Sequence, residues 1–162
     1  MSSANKNLSQ HEGSNIPNGA GYTIAIVVSE WNSDITNALR DGAIKTLLEN
    51  GVPEKNILIK YVPGSFELSL GAQLACEHIS TNAVICLGCV IQGETRHFDF
   101  ICNAVANGIT HVSLKFNKPV IFGVLTPDTM EQAQDRVGGK HGNKGVEAAV
   151  TALKMLALRF NH

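Results

Sequence analysis

The sequence has no apolar run near the roughly 18 residues that a membrane span requires. It has no surplus of charge either. The net charge is −1 and 17% of residues are charged, which excludes a strongly basic nucleic-acid surface and a polybasic membrane patch. Any phosphate recognition must therefore rest on a few local groups. Walker A and GxGxxG sequences are missing, so the common nucleotide and dinucleotide motifs are excluded. No internal repeat or low-complexity linker divides the chain. The N-terminal stretch "MSSANKNLSQHEGSNIPNG" lacks the apolar centre of a signal peptide. Residues 1–20 are expected to form a polar, flexible arm, or in part to order against a partner subunit. Cysteines are few: Cys76, Cys86, Cys89 and Cys102. Without an export signal they are expected to be reduced, in the cytoplasm. "CLGC" has CxxC spacing, but it lies in a strand-like run, where positions i and i+3 face opposite sides. The two sulfurs should diverge, which argues against a redox or metal site.

What is present is a core. At 162 residues and 44% hydrophobic content, the chain suits one domain, expected over 21–162. Four apolar runs read as strands: "TIAIVV" (23–28), "NILIKYV" (56–62), "AVICLGCVI" (83–91) and "PVIFGVLT" (119–126). They are near-continuous rather than alternating, as in parallel strands covered on both faces. Helical stripes lie between them. Ile35, Leu39, Ala43 and Leu47 form one, ended by Asn50-Gly51 with Pro53 beyond. Phe98, Ile101, Val105, Ile109 and Val112 form another, and Val146, Val150, Leu153, Ala157 and Phe160 the last. A weaker helix follows Phe66, and a short one spans 130–136. The order βαβαβαβαα predicts a parallel sheet with right-handed crossovers and helices on both faces. Ligands of such sheets bind beyond the carboxyl ends of the strands.

The segments that follow the strands carry the chemistry. In "QGETRH" (92–97), Gly93 permits a tight turn, and the Glu94 and Thr95 amides would open a helix with unpaired N–H groups that favour an anion. The Thr95 hydroxyl adds a donor. His97 falls in the first turn, where the dipole opposes an imidazolium, which suits a neutral base; an ordinary helix start with a surface histidine fits the same pattern. In "PGSFE" (63–67), Ser65 can cap the next helix, with Glu67 in its first turn. Alternatively, both can bind a polyol. In "WNSD" (31–34), Trp31 is the single tryptophan. It suits a plate for a flat heterocycle or a core or interface aromatic, and Asn32 or Asp34 can cap the helix. "DRVGGKHGNKG" (135–145) sets Arg136, Lys140, His141 and Lys144 among glycines. Arg136 can favour a helix C-terminus or fork a phosphate. His78 and His111 read as solvated surface, and His11 as part of the arm.

Taken together, "WN", "VPGSFE", "LGCVIQGETRHFDFI", "PVIFGVLT" and "DRVGGKHGNKG" resemble the 6,7-dimethyl-8-ribityllumazine synthase family over about Gly21 to Leu158. The resemblance implies an α/β, flavodoxin-like three-layer sandwich with a four-stranded parallel sheet and helices on both faces. It implies condensation of 5-amino-6-(D-ribitylamino)uracil with 3,4-dihydroxy-2-butanone 4-phosphate, without metal or organic cofactor. Trp31 then matches the aromatic stacked on the pyrimidine. Ser65, Phe66 and Glu67 match the segment that holds the ribityl chain, and Cys89, Val90 and Ile91 the strand end that meets the ring. Glu94, Thr95 and Arg136 match the phosphate-binding set. His97 matches the proton-transferring histidine, and Lys144 a lysine near the substrate. Phe122, which its mid-strand position alone assigns to the core, matches a residue supplied by a neighbouring subunit. Trp31 stands where Phe is frequent, and Phe98 and Phe100 where Tyr is often found. Glu94 stands where a small residue can occur, so its carboxylate must point away from a bound phosphate.

The family also implies pentamers, often assembled as a 60-subunit shell, with riboflavin synthase as a partner. The short "GGKHGNKG" loop favours the shell. Three rival readings differ in what they need. A dismutating archaeal-type riboflavin synthase needs no butanone phosphate, a flavin- or lumazine-binding module needs no His97, and a purely structural shell protein needs no site.

Overall fold

The computed structural model describes residues 7, 9–10 and 15–160. His11 and much of the 1–20 arm lie outside the described residues. Four parallel strands form the sheet: β1 (Ile24–Ser29), β2 (Ile57–Val62), β3 (Ala83–Cys89) and β4 (Val120–Leu125), in the order β2-β1-β3-β4. The helices are α1 (Ser33–Glu49), α2 (Leu68–Glu77), α3 (His97–Phe116), the short α4 (Met130–Gln134) and α5 (Lys144–Phe160). β1 and β3 are buried along their whole length, as their unbroken apolar runs require. One face of the sheet packs Ile24, Ile26, Val28, Ile85, Leu87 and Cys89 against α1 and α5. The other packs Ala25, Val27, Val84 and Cys86 against α2 and α3. Cys86 and Cys89 therefore belong to opposite layers, as the strand period demands.

The α1 stripe is buried as its spacing predicts, and the helix ends at Asn50 with Gly51 at φ 89°. The Val52 amide returns to the Leu47 carbonyl at 3.0 Å, closing the left-handed cap that glycine permits. The stripe of α5 departs in part from the expected one. Val150 and Leu153 are buried as expected, but Ala148, Ala149, Ala152 and Leu156 complete the core face and Phe160 is exposed. Small residues replace large ones there because α1 and α5 approach closely: a Cβ at Gly145 would collide with the Leu39 carbonyl of α1.

The edges also depart from expectation. β2 is not covered on both faces, since Ile59 and Tyr61 are exposed. Phe122 is no core residue; it is 37% exposed on the edge strand β4. Residues 135–145 are more than a loop. They form an antiparallel hairpin, β5 (Val137–Gly139) and β6 (Gly142–Asn143), with Gly138 at φ 119° and Gly142 at φ 76°. Among the described residues, no helix is long and apolar enough to cross a membrane.

Candidate active site

The strand order reverses between β1 and β3: β2 lies to one side and β4 to the other. The carboxyl ends of these two central strands open a crevice, the usual ligand position in such sheets. A cavity of about 650 Å³ lies there, lined by Trp31 after β1, Ser65 to Glu67 before α2, Cys89 to Ile91 after β3, and Thr95 and His97 at the start of α3. Phe98 and Ile101 of α3 complete the wall. Nine of the residues singled out from the sequence thus meet around one volume.

Each is held by local chemistry. The Trp31 amide donates to the Pro63 carbonyl at 3.2 Å, and its ring is 71% exposed at the rim, free to cover a flat ligand. Asn32 is left-handed, at φ 57° and ψ 49°. Its backbone carbonyl accepts from Ile35 and Thr36, but its side chain makes no cap. Instead Asn32 Nδ2 donates to the Cys89 carbonyl at 3.0 Å. This link was not evident from "WNSD", because it needs β1 and β3 to be neighbours.

Ser65 does not cap α2 either. A 3₁₀ turn (Ser65–Glu67) precedes the helix, and no side-chain cap bond forms at either start. Ser65 is 6% exposed and its Oγ has no hydrogen-bond partner. An unpaired buried hydroxyl costs roughly 1–3 kcal/mol, so its place in the cavity wall suits a polar ligand atom. Gly88 makes the seat: a Cβ there would stand 2.6 Å from Ser65 Oγ and 2.9 Å from Leu68 Cδ1. Phe66 and Glu67 are exposed beside it.

The cysteine of the lining is not an obvious nucleophile. Burial pushes the Cys89 thiol up to about 12, so it stays protonated at neutral pH. Cys86, fully inside the sheet, is raised further for the same reason. At α3, Arg96 occupies the position before the helix and makes no side-chain cap. The Thr95 hydroxyl accepts from the His97 amide at 3.4 Å. The Asp99 amide donates to the Arg96 carbonyl at 3.0 Å, and α3 begins at His97, so Glu94 and Thr95 precede the helix rather than open it as expected. Glu94 is exposed and is not part of the cavity wall.

Three further expected residues stand apart. Phe122 and Lys144 line a second groove, of about 590 Å³, between β4 and α5. Lys144 Nζ bonds Glu147 Oε1 at 2.8 Å there. Arg136 follows α4 and donates from Nη1 to the Gln132 carbonyl at 2.8 Å, a helix C-terminal contact. The Lys144 amide donates to the Arg136 carbonyl at 2.9 Å, so the two cations share one hairpin base. Within a single chain, neither they nor Phe122 line the main cavity.

Comparison with known proteins gives the family. A profile of the family described as 6,7-dimethyl-8-ribityllumazine synthase matches residues 21–159. The chain is 66% identical over 157 residues to the 6,7-dimethyl-8-ribityllumazine synthase of Cytophaga hutchinsonii, covering 97% of this chain and 98% of that one. It is 51% identical over 156 residues to the enzyme of the same name from Parabacteroides distasonis, covering 96% and 98%. It is 52% identical over 158 residues to that of Porphyromonas gingivalis, covering 98% of each. With a sheet, a crevice and sequence relatives in agreement over nearly its whole length, the chain belongs to the 6,7-dimethyl-8-ribityllumazine synthase family.

Proposed function

We propose that this protein condenses 5-amino-6-(D-ribitylamino)uracil with 3,4-dihydroxy-2-butanone 4-phosphate, giving 6,7-dimethyl-8-ribityllumazine, inorganic phosphate and water. The observation that carries this reading is the crevice at β1 and β3, which joins an aromatic plate, an unpartnered buried hydroxyl and a histidine at a helix start. Trp31 stacks on the pyrimidine. The backbone of Cys89, Val90 and Ile91 meets the ring edge. Ser65, Phe66 and Glu67 hold the ribityl chain, with Ser65 Oγ gaining the partner it lacks. The Glu94 and Thr95 amides and Arg136 hold the phosphate.

The 5-amino group attacks the ketone, and loss of water leaves an imine. Loss of a proton and of phosphate gives an enol, which tautomerises to a carbonyl. The ribitylamino nitrogen closes on that carbonyl and a second water leaves. His97 moves protons in the imine and elimination steps. Holding two reactants together supplies much of the acceleration.

The separation of Phe122, Lys144 and Arg136 from the crevice supports a site shared between copies. Phe122 sits on the exposed edge strand and Lys144 beside it, so a neighbouring copy can present both. The family resemblance points to pentamers, and the short segment at 138–145 favours twelve of them in a 60-subunit shell. Riboflavin synthase, which would take up the product, fits as a partner. The four free cysteines suit the reducing cytoplasm.

The test is direct. The purified protein is mixed with both substrates, and lumazine absorbance and free phosphate are followed together. Equal release is expected. Binding of lumazine without phosphate release would favour a binding module, and riboflavin formed from lumazine alone would favour the dismutating relative. Light scattering should give the mass of a 60-subunit particle, and a mass near a pentamer would remove the shell.

A further inference from the structure

Asn143 ends β6, one residue before Lys144, and both atoms of its side-chain amide are hydrogen-bonded. Oδ1 accepts from the Gly145 amide at 2.7 Å, capping the first turn of α5. Nδ2 donates to the Ala38 carbonyl of α1 at 3.0 Å. That carbonyl lies inside a helix, where it also faces the amide of Gly42 one turn on. The approach is close because residue 42 is glycine: a Cβ there would stand 2.7 Å from Asn143 Cγ and Nδ2. The Asn143 backbone N–H donates to Ser9 Oγ at 2.9 Å. Across the hairpin, Asn143 pairs with Val137, the residue after Arg136.

We propose that Asn143 is a positioning residue, whose amide fastens the base of the β5–β6 hairpin to α1 and thereby sets where Arg136 and Lys144 stand. The inference rests on the phosphate-binding reading of Arg136 given above. Val137 packs against the core and Gly145 against the Leu39 carbonyl of α1, but the Arg136 and Lys144 side chains bond within their own elements rather than to α1. Arg136 is half-buried and bonded to its own preceding turn, and Lys144 bonds Glu147 on its own helix. The Lys144 amide bonds the Arg136 carbonyl, Asn143 pairs with Val137 beside Arg136, and of the three Asn143 reaches α1 with its side chain. The cap and the tie to α1 are separable. Serine keeps a cap oxygen but is too short to span to Ala38.

The experiment is a pair of KM values, one for each substrate, on the assembled protein with Asn143→Ala, Asn143→Ser, Gly42→Ala and Arg136→Ala. Light scattering and thermal unfolding check assembly and fold. For Asn143→Ser, the expected result is an unfolding midpoint above that of Asn143→Ala. Its KM for the butanone phosphate should nevertheless rise about tenfold, since lost positioning acts on the substrate that the displaced group holds. The KM for the uracil should stay within about twofold, because a different part of the chain holds it. Gly42→Ala should reproduce this split by pushing the amide away, and it decides the matter if Asn143→Ala does not fold. Should Asn143→Ser and Gly42→Ala both keep the wild-type KM while Arg136→Ala raises it, the tie to α1 positions nothing and the proposal is wrong. Should Arg136→Ala itself leave that KM unchanged, the phosphate reading fails first and the proposal falls with it.

Discussion

Asn32 Nδ2 donates to the Cys89 carbonyl at 3.0 Å, so the carboxyl ends of β1 and β3 are tied together at the mouth of the crevice. Asn32 also adopts a left-handed conformation, at φ 57°, which asparagine tolerates better than most residues. Replacing it separates the two roles. Asn32→Gly loses only the hydrogen bond and should cost about 1 kcal/mol. Asn32→Ala adds the left-handed penalty of roughly 1–2 kcal/mol and should cost about 2–3 kcal/mol in all. Urea unfolding midpoints of the two variants test this order. Equal costs would mean that the backbone conformation is not strained for alanine.

Gly88→Ala should disturb the seat of Ser65. The new methyl would stand 2.6 Å from Ser65 Oγ and 2.9 Å from Leu68 Cδ1, in a strand buried along its length. Overpacking of this kind costs about 1–3 kcal/mol. If Ser65 binds the ribityl chain, KM for the uracil should rise while KM for the butanone phosphate changes little. Ser65→Ala should give the same split with no loss of stability, because it removes an unpartnered buried hydroxyl. A destabilised Ser65→Ala would reveal a partner that the hydroxyl holds in the free protein.

The sheet and the crevice could be read from the sequence because they depend on local signals. Unbroken apolar runs marked β1 and β3, and the residues just beyond them marked the rim. Contacts between distant segments were not readable in the same way. Ser65 looks like a cap when only "GSFE" is seen; its burial follows from Gly88, on a different strand. Asn32 was placed at the helix start, yet its side chain turns to β3. Phe122 looks like core until strand order puts β4 at an edge. On α5 the spacing finds Val150 and Leu153 but not the buried alanines, which carry weak periodicity and owe their place to the nearness of α1. The hairpin was hidden in a glycine-rich stretch, where left-handed positions leave little sequence pattern beyond glycine itself.

His97 opens α3, exposed at the rim, with its amide bonded to Thr95 Oγ1. His97→Ala should lower turnover on the order of 10²-fold or less, the low end of what a positioned proton-transfer group contributes. Its unfolding midpoint should hardly move, since an exposed substitution away from packed groups stays within about 0.5 kcal/mol. Steady-state rates of the assembled variant decide between two accounts. A moderate fall fits a reaction driven mainly by holding the reactants together. Complete loss in a folded, assembled protein would make proton transfer, not proximity, the main source of rate.

Cys89 and Cys86 predict how stability depends on alkaline pH. Burial holds the Cys89 thiol up to about 12 and raises Cys86 as well, whereas an unfolded thiol ionises near about 8.5. Between those values the unfolded chain has released protons that the native chain keeps. Stability is therefore complete below the unfolded value and falls as pH rises, by about 1.4 kcal/mol per pH unit for each such thiol. Urea unfolding at pH 8, 9, 10 and 11 should show this decline. Cys89→Ser removes one titrating group from the buried strand end, so its decline should be shallower by one thiol's share. Iodoacetamide supplies an independent check at pH 8. The native Cys89 should react far more slowly than the same residue in denaturant, because both its burial and its protonation withhold the thiolate. Equal slopes for the two proteins, together with rapid native labelling of Cys89, would mean that the strand end opens to solvent and that the tie from Asn32 does not keep it closed.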